Sequence, residues 1–129
     1  MKSQVSLEYL IVASIAIFLI ATIFYYSLLY SSESVIFSQA QDVVNTISST
    51  ADNVYSLGTG STQRIIVFIP QNIISSNVKD NHISLKLKSS SGENDIFAFT
   101  KAKVYGNLTS VSGYHYIQIN KTESGVNIQ

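Results

Sequence analysis

Cysteine and tryptophan are absent from this chain, proline occurs once, and only 12% of the residues are charged. Without cysteine there is no disulfide framework, no thiolate nucleophile and no Cys-ligated zinc or iron–sulfur centre. Eight Lys+Arg stand against eight Asp+Glu. The basic excess that grips a phosphate backbone is therefore missing, and no nucleic-acid partner is expected. No GxGxxG, P-loop, GxSxG or HExxH pattern occurs, and the two histidines, His82 and His115, stand far apart in segments that read as strands. No catalytic constellation, metal site or cofactor site is expected from these residues. A length of 129 residues allows one small domain, with or without an appendage, and excludes a multi-domain enzyme.

Charge is missing most conspicuously between Tyr9 and Tyr30, a run that contains none. As a helix this run is ~33 Å long, close to the hydrocarbon core of a bilayer. Ile, Leu, Phe and Ala surround it on every side, as expected of a helix that meets lipid or other apolar helices all round. Tyr9 marks one end; Tyr25, Tyr26 and Tyr30 mark the other, where amphipathic rings favour the headgroup zone. Lys2 is the only basic residue before Arg64, whereas Glu33, Asp42 and Asp52 follow the run. That asymmetry places the N-terminus in the cytoplasm and the bulk of the chain outside. The run has no small-residue exit for signal peptidase, so the helix is expected to be retained.

Glu8 is the anomaly, an acid one helical turn inside an apolar segment. Charges in such places are costly unless they find a partner. Two readings fit its spacing: an acid favoured by the helix dipole at headgroup depth, or one awaiting a cation that arrives on assembly. Lys2-Ser3 followed by Gln4-x-Ser6-x-Glu8-Tyr9-Leu10, leading directly into the apolar run, resembles the class III signal peptide of archaeal type IV pilin-like proteins. Ser3 stands where Gly or Ala is also common in that family. The resemblance implies that a prepilin peptidase cuts the Ser3–Gln4 bond on the cytoplasmic side and leaves the helix attached. Cleavage removes Lys2 and creates an α-ammonium at Gln4. The resemblance further implies that a neighbouring subunit's Glu8 neutralises this charge on assembly, which favours one axial register over others.

Helical periodicity continues beyond Tyr30. Ile36, Ala40, Val43, Val44, Ile47, Ala51, Val54 and Tyr55 recur at three- and four-residue steps, a one-sided stripe expected to pack on the chain's own C-terminal part. Gly58-Thr59-Gly60-Ser61 breaks the pattern. One helix from Gln4 to Leu57 would be about 80 Å long. After Gly60 the period changes to two. Strands are expected at Arg64–Pro70, His82–Lys88, Asp95–Thr100, Lys101–Leu108, Gly113–Ile119 and Val126–Gln129, about six in all, forming an antiparallel sheet or small sandwich over the stripe. Leu57-Gly58-x-Gly60 and the closing Gly113-Tyr114-x-Tyr116-Ile117 are also similar to the family's small C-terminal domains.

The expected organisation is thus α+β: a leader at 1–3, a long helix at 4–57 (apolar over 9–30, amphipathic over 31–57) and a small extracellular β domain at 58–129. Asn107-Leu108-Thr109 and Asn120-Lys121-Thr122 are sequons, which makes Asn107 and Asn120 candidates for N-glycosylation in an extracellular half. The resemblance implies a structural subunit of an archaeal adhesive pilus, held in the cell membrane as a precursor and extracellular once assembled. Its partners would be the peptidase and other pilin subunits. An anchored surface-binding module that carries the same leader but never polymerises is the alternative.

Overall fold

The computed structural model describes residues 2–129, with side chains from residue 5 onward. The elements in order are α1 (Lys2–Leu57), β1 (Thr62–Ile69), β2 (Ile73–Ser89), β3 (Gly92–Gly106), β4 (Gly113–Lys121) and β5 (Val126–Ile128). Contacts divide the chain into two units, the first ending at Ser34 and the second running from Val35 to Gln129. α1 stops where its sequence changes character. Gly58 takes a positive φ of 96° and its N–H bonds to the Tyr55 carbonyl at 3.3 Å, a helix ending that glycine adopts without Cβ strain.

The second unit is the expected α+β arrangement in coarse outline. Ala40, Val44, Ile47, Ala51 and Val54 are fully buried and Val43 nearly so, one face of the helix lying against one face of the sheet. The sheet answers with Val67 and Ile69 from β1, Ile83, Leu85 and Leu87 from β2, Ile96 and Val104 from β3, Ile117 and Ile119 from β4, and Val126 and Ile128 from β5. Strict alternation puts Ser84, Lys86 and Lys88 on the other face of β2. Lys86 pairs there across the strands with Glu93 at 3.5 Å and Asp95 at 4.0 Å. Surface pairs of this kind contribute at most ~1 kcal/mol. Burial of the apolar residues, at about 1.5–3 kcal/mol for each large side chain, dominates.

Two expectations about the strands need correction. Of the two forms expected, the sheet is the one present, a single sheet with order β1-β4-β5-β3-β2. It is mixed, because β5 runs parallel to β3 while every other pair is antiparallel. And it has five strands, since 95–100 and 101–108 belong to a single β3 and β2 begins as early as Ile73. The merged strand is nevertheless irregular at the point where two strands were expected to meet. Asp80 pairs with Val104 but His82 pairs with Phe99, so Thr100–Lys103 oppose only Asn81. β2 bends at the same place. The Lys88 N–H reaches the Asn72 carbonyl at 2.9 Å, whereas a straight strand of that length would hold its ends roughly 55 Å apart. β2 therefore doubles back, and Asp80 at φ 58° sits at the bend in a left-handed conformation that Asp tolerates better than most residues.

An interrupted ladder leaves backbone groups that need other partners. The helix provides two of them. Ser48 donates its hydroxyl to the Phe99 carbonyl at 2.6 Å, and one turn later the Asp52 carboxylate accepts the Lys101 N–H at 2.8 Å. Asn81 donates to the Thr100 and Lys101 carbonyls at 3.3 and 3.4 Å. Asp52, which lies outside the apolar stripe, thus faces β3. Its substitution Asp52→Ala should destabilise the second unit by about 1 kcal/mol, and Asp52→Asn, which keeps an acceptor, should recover most of the loss in thermal unfolding of the detergent-solubilised chain. Equal loss in both variants would contradict this role.

β5 inserts between β3 and β4 only because two glycines permit it. A Cβ on Gly106 would lie 1.9 Å from the Ile128 carbonyl oxygen, and one on Gly125 would lie 2.5 Å from that of Lys103. Gly106→Ala should cost about 3 kcal/mol or more, because backbone and not a flexible side chain stands in the way. A melting temperature within a degree or two of the parent would refute the tight approach.

Candidate functional site

The first unit presents the feature that most needs explaining. From Val5 to Tyr30 every side chain of α1 is exposed. The residues include Ile17 at 67%, Phe18 at 72% and Phe24 at 66%. The run is rich in β-branched residues that are mediocre helix formers in water. What makes a helix the right structure for it is that all backbone groups are satisfied within the segment, a necessity wherever water is absent. Two of its hydroxyls follow the same rule: Ser14 donates to the Leu10 carbonyl at 2.7 Å and Thr22 to that of Phe18 at 2.8 Å. Leaving so many large apolar side chains in water would cost on the order of 1.5–3 kcal/mol each. The segment therefore requires lipid or other protein around it. It is the one described helix long and apolar enough to cross a membrane, which is compatible with membrane anchoring.

Glu8 lies in this exposed segment. Because α1 begins at Lys2, the acid stands in the second turn and not in the first, where the helix dipole acts most strongly. Among the described residues no cation lies within ion-pair distance of it; both ion pairs belong to Lys86. Ser3 and Gln4, the expected cleavage pair, lie outside the residues whose side chains are described. Tyr9 and Tyr30 are exposed at 81% and 84%, and Tyr25 meets Tyr26 edge-on with ring centroids 6.0 Å apart.

In the second unit the candidate residues are scattered. His82 lies in β2 and His115 in β4, the latter bonded through Nε2 to the Val111 carbonyl at 2.8 Å. No group of three or more His, Asp or Glu among the described residues could hold a metal ion. Tyr114 and Tyr116 project from the sheet face opposite the core, directly across from Phe68 and Ile66 of β1. Phe97 and Phe99 do the same on β3, with ring centroids 5.3 Å apart; their alternation along the strand is legible in the sequence, but the surface they form is not. Tyr105 belongs to a different cluster. Its hydroxyl is bonded by Ser124 and Thr122, which together with the Lys121 charge lower its pKa.

Asn107 is exposed in the irregular segment after β3, whereas Asn120 lies half-buried inside β4. Ser48 and Asp52, which tie the helix to β3, escaped the sequence reading; the available signal was their one-turn spacing on the flank of the apolar stripe. Comparisons of the chain with protein families, with curated proteins and with solved structures return no match.

The exposed run sets a clear expectation. Phe18→Lys, in the middle of the run, should cost about 2.5–3.5 kcal/mol of insertion and shift the chain from the carbonate-resistant membrane pellet toward the supernatant. An unchanged distribution would mean that the segment does not enter lipid.

Proposed function

We propose that the chain is a pilin-like structural subunit. It is made as a membrane-anchored precursor with its N-terminus in the cytoplasm and its β domain outside. A prepilin peptidase cuts it between Ser3 and Gln4, and it polymerises through its N-terminal helix into an archaeal type IV-like surface filament. The observation that carries this reading is the contrast along α1. Ala40–Val54 is covered by the chain's own sheet, while Val5–Tyr30 is covered by nothing. A surface that apolar must be matched by an equally apolar environment, first lipid and then the helices of neighbouring subunits.

Glu8 gives the transfer its register. A carboxylate within an apolar bundle is expensive alone and far less so when paired. The α-ammonium released at Gln4 is the cation that cleavage supplies. Before cleavage Lys2 holds the chain at the cytoplasmic face; after cleavage the new terminus and the carboxylate of a neighbour neutralise one another. Adhesion, in this reading, belongs to the outward sheet face of the β domain.

Mass spectrometry of the mature chain should find Gln4 at its N-terminus, and bulky replacements at Ser3 or Gln4 should leave uncut precursor. Glu8→Ala should still be cut, yet reduce filament yield at least tenfold by electron microscopy. Cysteines placed singly between Ile11 and Leu28 should crosslink subunit to subunit. Normal filaments from Glu8→Ala would remove the charge pair. Absence of any crosslink in a fully exported, cleaved chain would favour the non-polymerising anchored module instead.

A further inference from the structure

We infer that Asn107, and not Asn120, is the N-glycosylation site of the folded protein. The inference rests on the reading that the β domain is exported. As sequence the two sequons are equivalent, each an Asn with a Thr two positions on and no intervening Pro. Their surroundings in the fold are not.

Asn107 follows the last residue of β3 and opens an irregular segment running to Ser110. Its backbone N–H bonds to the Ile128 carbonyl at 3.2 Å. The next residue, Leu108, is only 5% exposed and plugs into the core, and its carbonyl accepts the Ser76 hydroxyl. Gly106 on one side and Leu108 on the other thus pin the chain while the exposed Asn107 stands clear of the sheet. Thr109 Oγ1 accepts the Val111 N–H at 3.2 Å, which leaves the hydroxyl proton free to donate. The Asn107 carboxamide is exposed, and the half-buried Thr109 keeps its hydroxyl proton to donate, so the sequon can be presented without unfolding.

At Asn120 the residue itself is half-buried, and both sequon side chains are held by hydrogen bonds. The residue lies in β4 between Thr62 of β1 and Asn127 of β5. Its Oδ1 accepts the Gln118 Nε2 at 3.2 Å. The Thr122 hydroxyl donates to the Gly125 carbonyl at 3.0 Å and shares a further hydrogen bond with the Tyr105 hydroxyl. Presenting this sequon to an enzyme would require pulling β4 from between its two neighbours.

The chemistry asks for one nucleophile and one donor. The Nδ2 of Asn107 attacks the anomeric carbon of a lipid-linked sugar phosphate. The carbon–nitrogen bond forms as the bond from that carbon to the phosphate oxygen breaks. The lipid phosphate leaves with the electron pair and the amide nitrogen loses one proton. Nothing is oxidised or reduced.

The test gives the full chain, folded in mild detergent, to an oligosaccharyltransferase that accepts plain N-x-Ser/Thr sequons, together with a lipid-pyrophosphate oligosaccharide donor. Glycopeptides are then quantified by mass spectrometry. Occupancy at Asn107 should exceed that at Asn120 at least tenfold, and the urea-unfolded chain should be modified at both. Asn107→Gln and Thr109→Ala should abolish modification of the folded chain, while Asn120→Gln should not change it. Equal occupancy in the folded chain, preference for Asn120, or failure to modify Asn107 when the unfolded chain is accepted would overturn the inference. Chain taken from its own cells should carry glycan at Asn107 alone, and an accessible but bare β domain would equally overturn the site. Protease added to intact cells measures the underlying reading separately: a β domain shielded from it overturns export, and the site with it.

Discussion

Burial of the Ala40–Val54 stripe against the inner face of the sheet is the contact on which the rest depends. The second unit is small, and a sheet of this size has one face to hide and too little material of its own to hide it. Ile47 and Val44 are fully buried beside Ile83, Leu85, Ile119 and Ile128. Take the helix away and that entire face meets water. The same helix carries the apolar segment of the first unit, so the element that completes the core of the β domain is covalently continuous with the element that needs lipid or neighbouring subunits.

The sheet accommodates the helix by breaking its own ladder. At Thr100–Lys103 the partner strand offers only Asn81, and the vacancies are filled by Ser48 and Asp52 from the helix and by Asn81 itself. These polar contacts add little net energy, about 1 kcal/mol apiece. Their effect is on specificity, because a helix shifted by one residue would lose both bonds and misplace the stripe. The close insertion of β5, which needs Gly106 and Gly125 to lack side chains, has the same character.

A division of labour between the two units follows from composition. From Val5 to Tyr30 the first contains exposed apolar side chains, a few hydroxyls of which Ser14 and Thr22 bond within the helix, and a single acid, Glu8. The second has a mixed outer surface: the Lys86 ion pairs, exposed tyrosines and phenylalanines, and an irregular segment with Asn107 exposed. A pilin-like reading assigns assembly to the former and contact with the surroundings to the latter.

The sequence by itself determined the elements whose signal is local. The uncharged run, the stripe at three- and four-residue steps, the Gly58–Gly60 stop and the alternation in Ile83–Lys88 each depend only on neighbours along the chain, and each lies where periodicity put it. What only tertiary structure decided is everything set by partners distant in sequence. The parallel placement of β5 and the doubling back of β2 depend on backbone packing between strands, for which side-chain alternation carries no signal. Asp52 looks solvent-facing by pattern and becomes a β3 ligand because a bulge there leaves an N–H without a partner. Two Asn-x-Thr triplets identical in form have different surroundings, one in a loop and the other in a strand hydrogen-bonded on both sides.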